Sequence, residues 1–137
     1  MERLRNKKDC PHKIYVLNGD PVPLARGRFS DKTKRIYDSQ KTLKLLNGIA
    51  LRSQHDDQPM YTGPLHLIVT FFIGIPKNSK RLYYHHTFKP DLDNLIKWIC
   101  DISNSVLYHD DCTIAKITAT KLYDTNARTE FYFEVLD

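Results

Sequence analysis

The chain has 137 residues and a mass of 16.1 kDa, a size that predicts one domain because two would each lack a sufficient core. Hydrophobic residues make up 41% and charged residues 27% of the sequence, a composition that excludes a disordered chain. The longest apolar run, residues 65–75, is too short and too interrupted to span a membrane. The N-terminus is basic but lacks the apolar stretch of a secretory signal, so we expect none.

The net charge of +5 is concentrated near the N-terminus. Residues 1–35 hold ten basic and four acidic residues, a net charge of +6, whereas the other 102 residues together carry −1. This asymmetry favours a polyanionic partner, most often nucleic acid, although a solubilising tail with scattered surface charge explains it equally well. The three cysteines lack the spacing of a disulfide framework, so we expect free thiols and a reducing compartment, the cytoplasm.

In chain order, the predicted elements begin after a flexible basic tail over residues 1–11. Strand signals then occur at residues 12–18, 65–75, 112–123 and 129–135, and helical periodicity occurs at 38–54 and 91–103. A turn signal at residues 124–126 predicts that the last two strands pair as a hairpin. The predicted fold over residues 12–137 is a single small α+β domain. It has a mixed or antiparallel sheet of about three to four strands and two main helices.

The segment KPDLDNLIKWICDISN, residues 89–104, predicts an amphipathic helix with a charged ridge. Asp93, Lys97 and Asp101 follow one another at steps of four residues, so they share a polar face opposite the apolar arc. Asp91 stands where a carboxylate can cap the helix by accepting a hydrogen bond from an early backbone N–H.

A second acidic pair, Asp110 and Asp111, follows this helix. The chain can turn back along the helix, and carboxylates that converged with Asp91 and Asp93 would need a divalent cation to relieve their repulsion. Mg²⁺ suits such a site because it takes one or two carboxylates, keeps several waters and accepts phosphate oxygens. Each acid alone is better explained as a cap, an ion pair or a solvated turn than as a metal ligand, but together the acids favour a site.

The motif KPDLDNLIK, followed by YHDD, resembles the signature of the RusA family of Holliday-junction resolvases. The segment GDPVPLARGRF is also similar to the Pro- and Arg-rich entry segment of that family, whereas YYHHTF has no clear counterpart. The resemblance spans roughly residues 15–135. It implies a homodimer that cuts four-way DNA junctions by paired symmetric nicks and depends on Mg²⁺, with Mn²⁺ as a possible substitute.

The same resemblance assigns roles to individual residues. It implies that Asp91, Asp93 and Asp111 are catalytic and bind the metal, with Asp110 in support. Lys97 matches the essential lysine of the family, which acts on the scissile phosphate or on the distorted DNA.

Basic and aromatic side chains outside the acidic motifs are candidate DNA contacts. The candidate phosphate-binding residues are Arg26, Arg28, Lys77, Lys80, Arg81 and Lys89. Tyr83, Tyr84 or Phe88 can stack on bases at the crossover, where pairing is already weakened. A surface loop with one buried aromatic ring explains these three residues equally well.

The sequence leaves other functions open. A module that binds branched DNA without cutting it would use the same basic and aromatic side chains, but it would not need Lys97 beside paired acids. A metal-dependent hydrolase of small nucleotides is disfavoured by the surplus positive charge. Zinc is disfavoured because no Cys or His pair has the usual spacing of zinc ligands.

Overall fold

Six strands and two α-helices are present in the computed structural model, which describes residues 12–25, 28–30, 35–37, 40–77 and 83–137. The strands are β1 (Tyr15–Asn18), β2 (Arg28–Ser30), β3 (Arg35–Tyr37), β4 (Leu65–Gly74), β5 (Ile114–Asp124) and β6 (Arg128–Val135). The helices are α1 (Lys41–His55) and α2 (Leu92–Ser103). The tail expected over residues 1–11 lies outside the described residues.

Four of the strands form one mixed sheet in the order β1–β6–β4–β5. β4 pairs with β5 in parallel and with β6 antiparallel, while β2 and β3 form a separate two-stranded sheet. The predicted α+β class, with a four-stranded mixed sheet and two helices, is therefore confirmed.

The hairpin predicted for the last two strands is wrong. β4 lies between β5 and β6, so the connection over residues 125–127 passes across the end of β4. At this crossing a Cβ on Gly74 would lie 3.8 Å from the side chains of Ala127 and Asp20, in ordinary van der Waals contact. The physical reason lies in β4, whose sequence LHLIVTFFIG is apolar at consecutive positions. Such a strand is most stable inside a sheet, with a neighbour on each side.

The core lies where the two helices pack against this sheet. The apolar arc predicted for α2 is confirmed, since Leu95, Trp98 and Ile99 are buried together with Leu67 and Phe131 of the central strands. The Trp98 indole Nε1–H donates a hydrogen bond of 3.1 Å to Asn47 Oδ1 and so links α2 to α1. None of the helices in the described ranges is long and apolar enough to span a membrane.

A buried polar network fastens β1 to the end of α1. The Tyr15 hydroxyl lies 2.7 Å from His55 Nδ1 and 3.0 Å from the Tyr61 hydroxyl, and His55 Nε2 lies 3.0 Å from the Pro59 carbonyl oxygen. A carbonyl only accepts, so Nε2 donates to Pro59; in the neutral imidazole Nδ1 then accepts from Tyr15, and Tyr61 donates to Tyr15. Burial raises the pKa of Tyr15, which keeps this hydroxyl protonated.

Candidate functional site

Two exposed carboxylates stand at the start of α2. Asp91 occupies the N-cap position and Asp93 lies in the first turn, where the helix dipole favours negative charge. The expected capping hydrogen bond is absent, so that part of the prediction is wrong; the Asp91 carboxylate accepts instead from Lys89 Nζ at 3.0 Å. The side chains of Asp91 and Asp93 are both exposed, so both carboxylates are accessible to a ligand.

The segment that leads into α2 is held by a lysine of the sheet. Lys121 of β5 donates hydrogen bonds from Nζ to the carbonyl oxygens of Phe88, at 2.9 Å, and Pro90, at 2.7 Å. Burial lowers the pKa of Lys121, and the neighbouring Asp91 carboxylate opposes that shift. Sequence reasoning missed Lys121, because only the pairing of distant segments brings it beside Asp91.

Lys97 lies one turn beyond Asp93 and is exposed. Within the described ranges, no ion pair joins these two side chains, so the Lys97 ammonium is not neutralised by the nearest acid of the ridge. Asp101, the last member of the ridge, forms an ion pair of 3.0 Å with Lys44 of α1. The ridge therefore presents Asp93 and Lys97 to solvent, and Asp101 joins the two helices.

The second acidic pair lies at the other end of α2. Asp110 begins a short 3₁₀ turn over Asp111–Thr113, where its carboxylate accepts from the backbone N–H of Cys112. Partial burial raises the pKa of Asp111, and the adjacent carboxylates of Asp110 and Asp101 raise it further, while a hydrogen bond with Asn104 lowers it. Asp111 is thus a crowded carboxylate that a cation would relieve.

The three predicted metal ligands do not meet within one chain. Lys121 lies late in β5 and contacts the segment at the start of α2. Asp111 lies just before β5 and interacts with Asp101 and Asn104 at the other end of that helix. Asp91 and Asp101 are ten residues apart, which corresponds to about 15 Å along a helix axis. Within the part of the chain that the structure describes, no three His, Cys, Asp or Glu side chains form a possible metal site. These ligands therefore do not fit one cation in a single chain.

Three exposed aromatic rings lie in the segment that precedes α2. Tyr83, Tyr84 and Phe88 are 62%, 67% and 69% exposed. Their segment follows the edge of β5, since the backbone N–H of His86 donates to the Lys121 carbonyl at 3.1 Å. His86 itself is buried against the rings of Tyr123 and Phe88, and burial, with the charge of Lys121, lowers its pKa.

The candidate phosphate-binding residues are only partly covered by the structure. Lys77 and Lys89 are exposed, and Arg28 belongs to β2. Arg26, Lys80 and Arg81 lie outside the described residues. Lys89 stands out among these basic residues, because it follows the exposed Phe88 in the chain and forms an ion pair with Asp91.

Comparison with known proteins agrees with the motifs. A family model described as endodeoxyribonuclease RusA matches residues 18–132, a range that includes both acidic pairs. Over 129 residues the chain is 30% identical to a Bacillus subtilis (strain 168) protein called uncharacterized protein YqaN, covering 85% of this chain and 91% of that protein. Over 68 residues it is 43% identical to the crossover junction endodeoxyribonuclease RusA of Lactococcus phage r1t, covering 49% of this chain and 51% of that protein.

A small α+β domain with exposed carboxylates at a helix start, beside basic and aromatic side chains, is suited to the class of enzymes that cut DNA. The family model matches residues 18–132, which is most of the chain, and this match identifies the particular family of nucleases. The chain belongs to the RusA endodeoxyribonuclease family, and it is a nuclease.

Proposed function

We propose that this nuclease resolves four-way DNA junctions by paired symmetric nicks. The observation that carries the proposal is the surface at the start of α2, where two exposed carboxylates, Asp91 and Asp93, closely follow the exposed ring of Phe88 in the chain. The name of the Lactococcus phage relative, a crossover junction endodeoxyribonuclease, supports the same substrate. Its proposed place of action is the cytoplasm, at the nucleoid.

The protein would bind DNA through its aromatic rings and its basic side chains together. Tyr83, Tyr84 and Phe88 offer planar surfaces on which unpaired bases stack, and pairing is weakest at the crossover of a junction. Lys89 and Lys77 would hold backbone phosphates, contacts that fix the position of the DNA without reading its sequence. This arrangement accounts for recognition of a structure in preference to a sequence.

The proposed catalytic residues are Asp91, Asp93, Asp111 and Lys97, with Asp110 in support. The carboxylates would bind Mg²⁺, with Mn²⁺ as a substitute, and such a cation supplies an activated water and neutralises phosphate oxygens. Lys97 would add a fixed positive charge where negative charge develops on the scissile phosphate. Its exposed ammonium, not paired with Asp93 in the described part of the chain, supports that role.

The separation of the acids along α2 bears on the oligomeric state. Because one chain holds Asp91 and Asp93 at one end of the helix and Asp111 at the other, we propose a homodimer that unites the first pair with the partner's Asp111. A two-fold dimer would contain two such composite sites. Two sites related by a two-fold axis match the two symmetric nicks that a four-way junction requires.

The first experiment is cleavage of a labelled four-way junction, with linear duplex and single-stranded DNA as controls. Nicks that are paired, symmetric, confined to the junction and dependent on Mg²⁺ are the expected result. Tight junction binding without cleavage in Mg²⁺ or Mn²⁺ would favour a binding module instead. No preference for the junction would refute the proposed substrate.

Mixed dimers test the composite site. Asp91→Asn and Asp111→Asn are each expected to be inactive as homodimers. In a mixed dimer of the two variants, one composite site would combine the intact Asp91 of the Asp111→Asn chain with the intact Asp111 of the Asp91→Asn chain. That site would keep all its wild-type acids, so single nicks would reappear. If each chain carried its own complete site, both sites of the mixed dimer would be defective and cleavage would stay absent.

A further inference from the structure

Helix α1 exposes an apolar face for which the described residues provide no cover. Leu45, Leu46 and Ile49 are 64%, 56% and 57% exposed, although α1 packs against the rest of the fold. At 100° per residue they lie on the opposite side of the helix from Leu51, which is buried in the core. Exposed aliphatic side chains that lie side by side indicate an interaction surface more strongly than scattered ones.

This face continues into a groove between the two helices. The groove has a volume of about 570 Å³, and its apolar lining comes from Leu45 and Ile49 of α1, from Ile102 of α2 and from Val106. Its charged residues are Lys41, Lys44, Arg52 and Asp101. An apolar centre with a polar rim is the usual anatomy of a protein–protein interface, whereas aliphatic side chains offer nothing to a phosphate backbone.

Gly48 provides a second, independent observation. It lies in the middle of α1, lines the groove, and has no atom within 4 Å of the place that a Cβ would occupy. Glycine is unfavourable inside a helix relative to alanine, and no close neighbour in the described fold requires its small size. A notch at this position is explained if a side chain from another molecule packs into it.

We propose that this α1 face is the surface on which a second copy of the chain docks. The inference rests on the homodimer of the proposed function and deepens it by locating the interface. Leu45, Leu46 and Ile49 each expose on the order of 100 Å². A two-fold dimer would bury these three side chains from both chains, roughly 600 Å² of apolar area. That is about three quarters of the apolar area in the smallest standard homodimer interface.

The position of the groove agrees with this occupant. Asp101 and Asn104 line the groove, and both interact electrostatically with Asp111. A second copy that binds in the groove would therefore lie beside Asp111, which within one chain is far from Asp91 and Asp93. In a two-fold arrangement the same face serves both partners, so each α1 would pack against the other.

Sedimentation velocity without DNA or metal tests the interface directly. We expect the wild-type chain to be a dimer at micromolar concentration and the double variant Leu45→Glu/Ile49→Glu to be monomeric, with dimer affinity reduced at least 100-fold. Both side chains are exposed in the single chain, so circular dichroism and the melting curve should show a folded protein. Ile117→Glu, at an exposed position of β5, is the matched control and should remain dimeric.

Gly48→Leu gives a second, smaller perturbation. Leucine is a better helix former than glycine, so the single chain is not expected to lose stability, but the filled notch should weaken the dimer at least tenfold. A monomeric wild-type chain, or a double variant that stays dimeric, would overturn the proposed interface. Junction cleavage by a dimer that forms through another face would leave the proposed function intact, so the two failures are distinguishable.

Discussion

Lys121 offers the sharpest test of how the sheet positions the candidate site. Its ammonium group holds the carbonyl oxygens of Phe88 and Pro90, the latter immediately before Asp91. Lys121→Met removes both hydrogen bonds and keeps most of the aliphatic stem. We expect this variant to fold, to bind a four-way junction nearly as well as the wild type, and to cleave it more slowly.

The expected magnitude follows from the exposure of the two hydrogen bonds. A hydrogen bond from a charged donor contributes about 1.5–3 kcal/mol when it is buried. Lys121 is only partly buried, and water can replace it at the exposed Phe88 carbonyl, so the loss of stability should be about 1–2 kcal/mol. Because a misplacement of about 1 Å can slow a reaction roughly 100-fold, cleavage should fall by about 10- to 100-fold.

Three measurements separate these effects. Urea unfolding gives the loss of stability, fluorescence anisotropy gives the junction affinity, and single-turnover cleavage at saturating enzyme gives the rate of the chemical step. Lys116→Met is the matched control, since it removes the same charge from an exposed position of the same strand. Lys121→Arg keeps a charged donor and should recover part of the cleavage rate.

Equal effects of Lys116→Met and Lys121→Met on cleavage would refute the positioning role, because the loss would then follow the net charge of β5. An equal loss of binding and cleavage in Lys121→Met would refute it as well, since that result would place the lysine in the DNA contact.

Three further predictions address the acids and the buried network. Asp93→Asn should reduce cleavage to background and leave junction affinity largely intact; cleavage at the wild-type rate would exclude Asp93 from catalysis. Asp111→Asn should stabilise the fold at neutral pH by less than about 1 kcal/mol, since the raised pKa of Asp111 means that its ionised form is disfavoured in the folded state. That gain should disappear in urea unfolding as the pH falls below the unfolded pKa of Asp111, and a gain independent of pH would contradict the assignment. Tyr15→Phe leaves His55 without its donor, so unfolding should show a loss of about 1–3 kcal/mol, clearly more than for Tyr61→Phe, and equal losses would refute the proposed network.

Local patterns in the sequence were sufficient to locate most elements and the candidate residues. The 3.6-residue periodicity over residues 91–103 predicted α2, which spans Leu92–Ser103, and the apolar run over residues 65–75 predicted β4, which spans Leu65–Gly74. The acidic motifs likewise pointed to the correct family. These features were predictable because each depends on residues that are near one another in the chain.

Contacts between distant segments decided the rest. The short connection after β5 favoured a hairpin, but the insertion of the apolar strand β4 between β5 and β6 determined the strand order. Only the packing of α2 alongside β5 placed Lys121 beside Asp91 and left Asp111 at the far end of the helix.

Helix α1 shows the same division between local pattern and tertiary packing. Its sequence contains apolar residues around much of the helix, and the core covers Leu51 while Leu45 and Ile49 remain exposed. Periodicity specifies which side chains share a face, but the surrounding fold determines which face is buried, because burial depends on what packs against it.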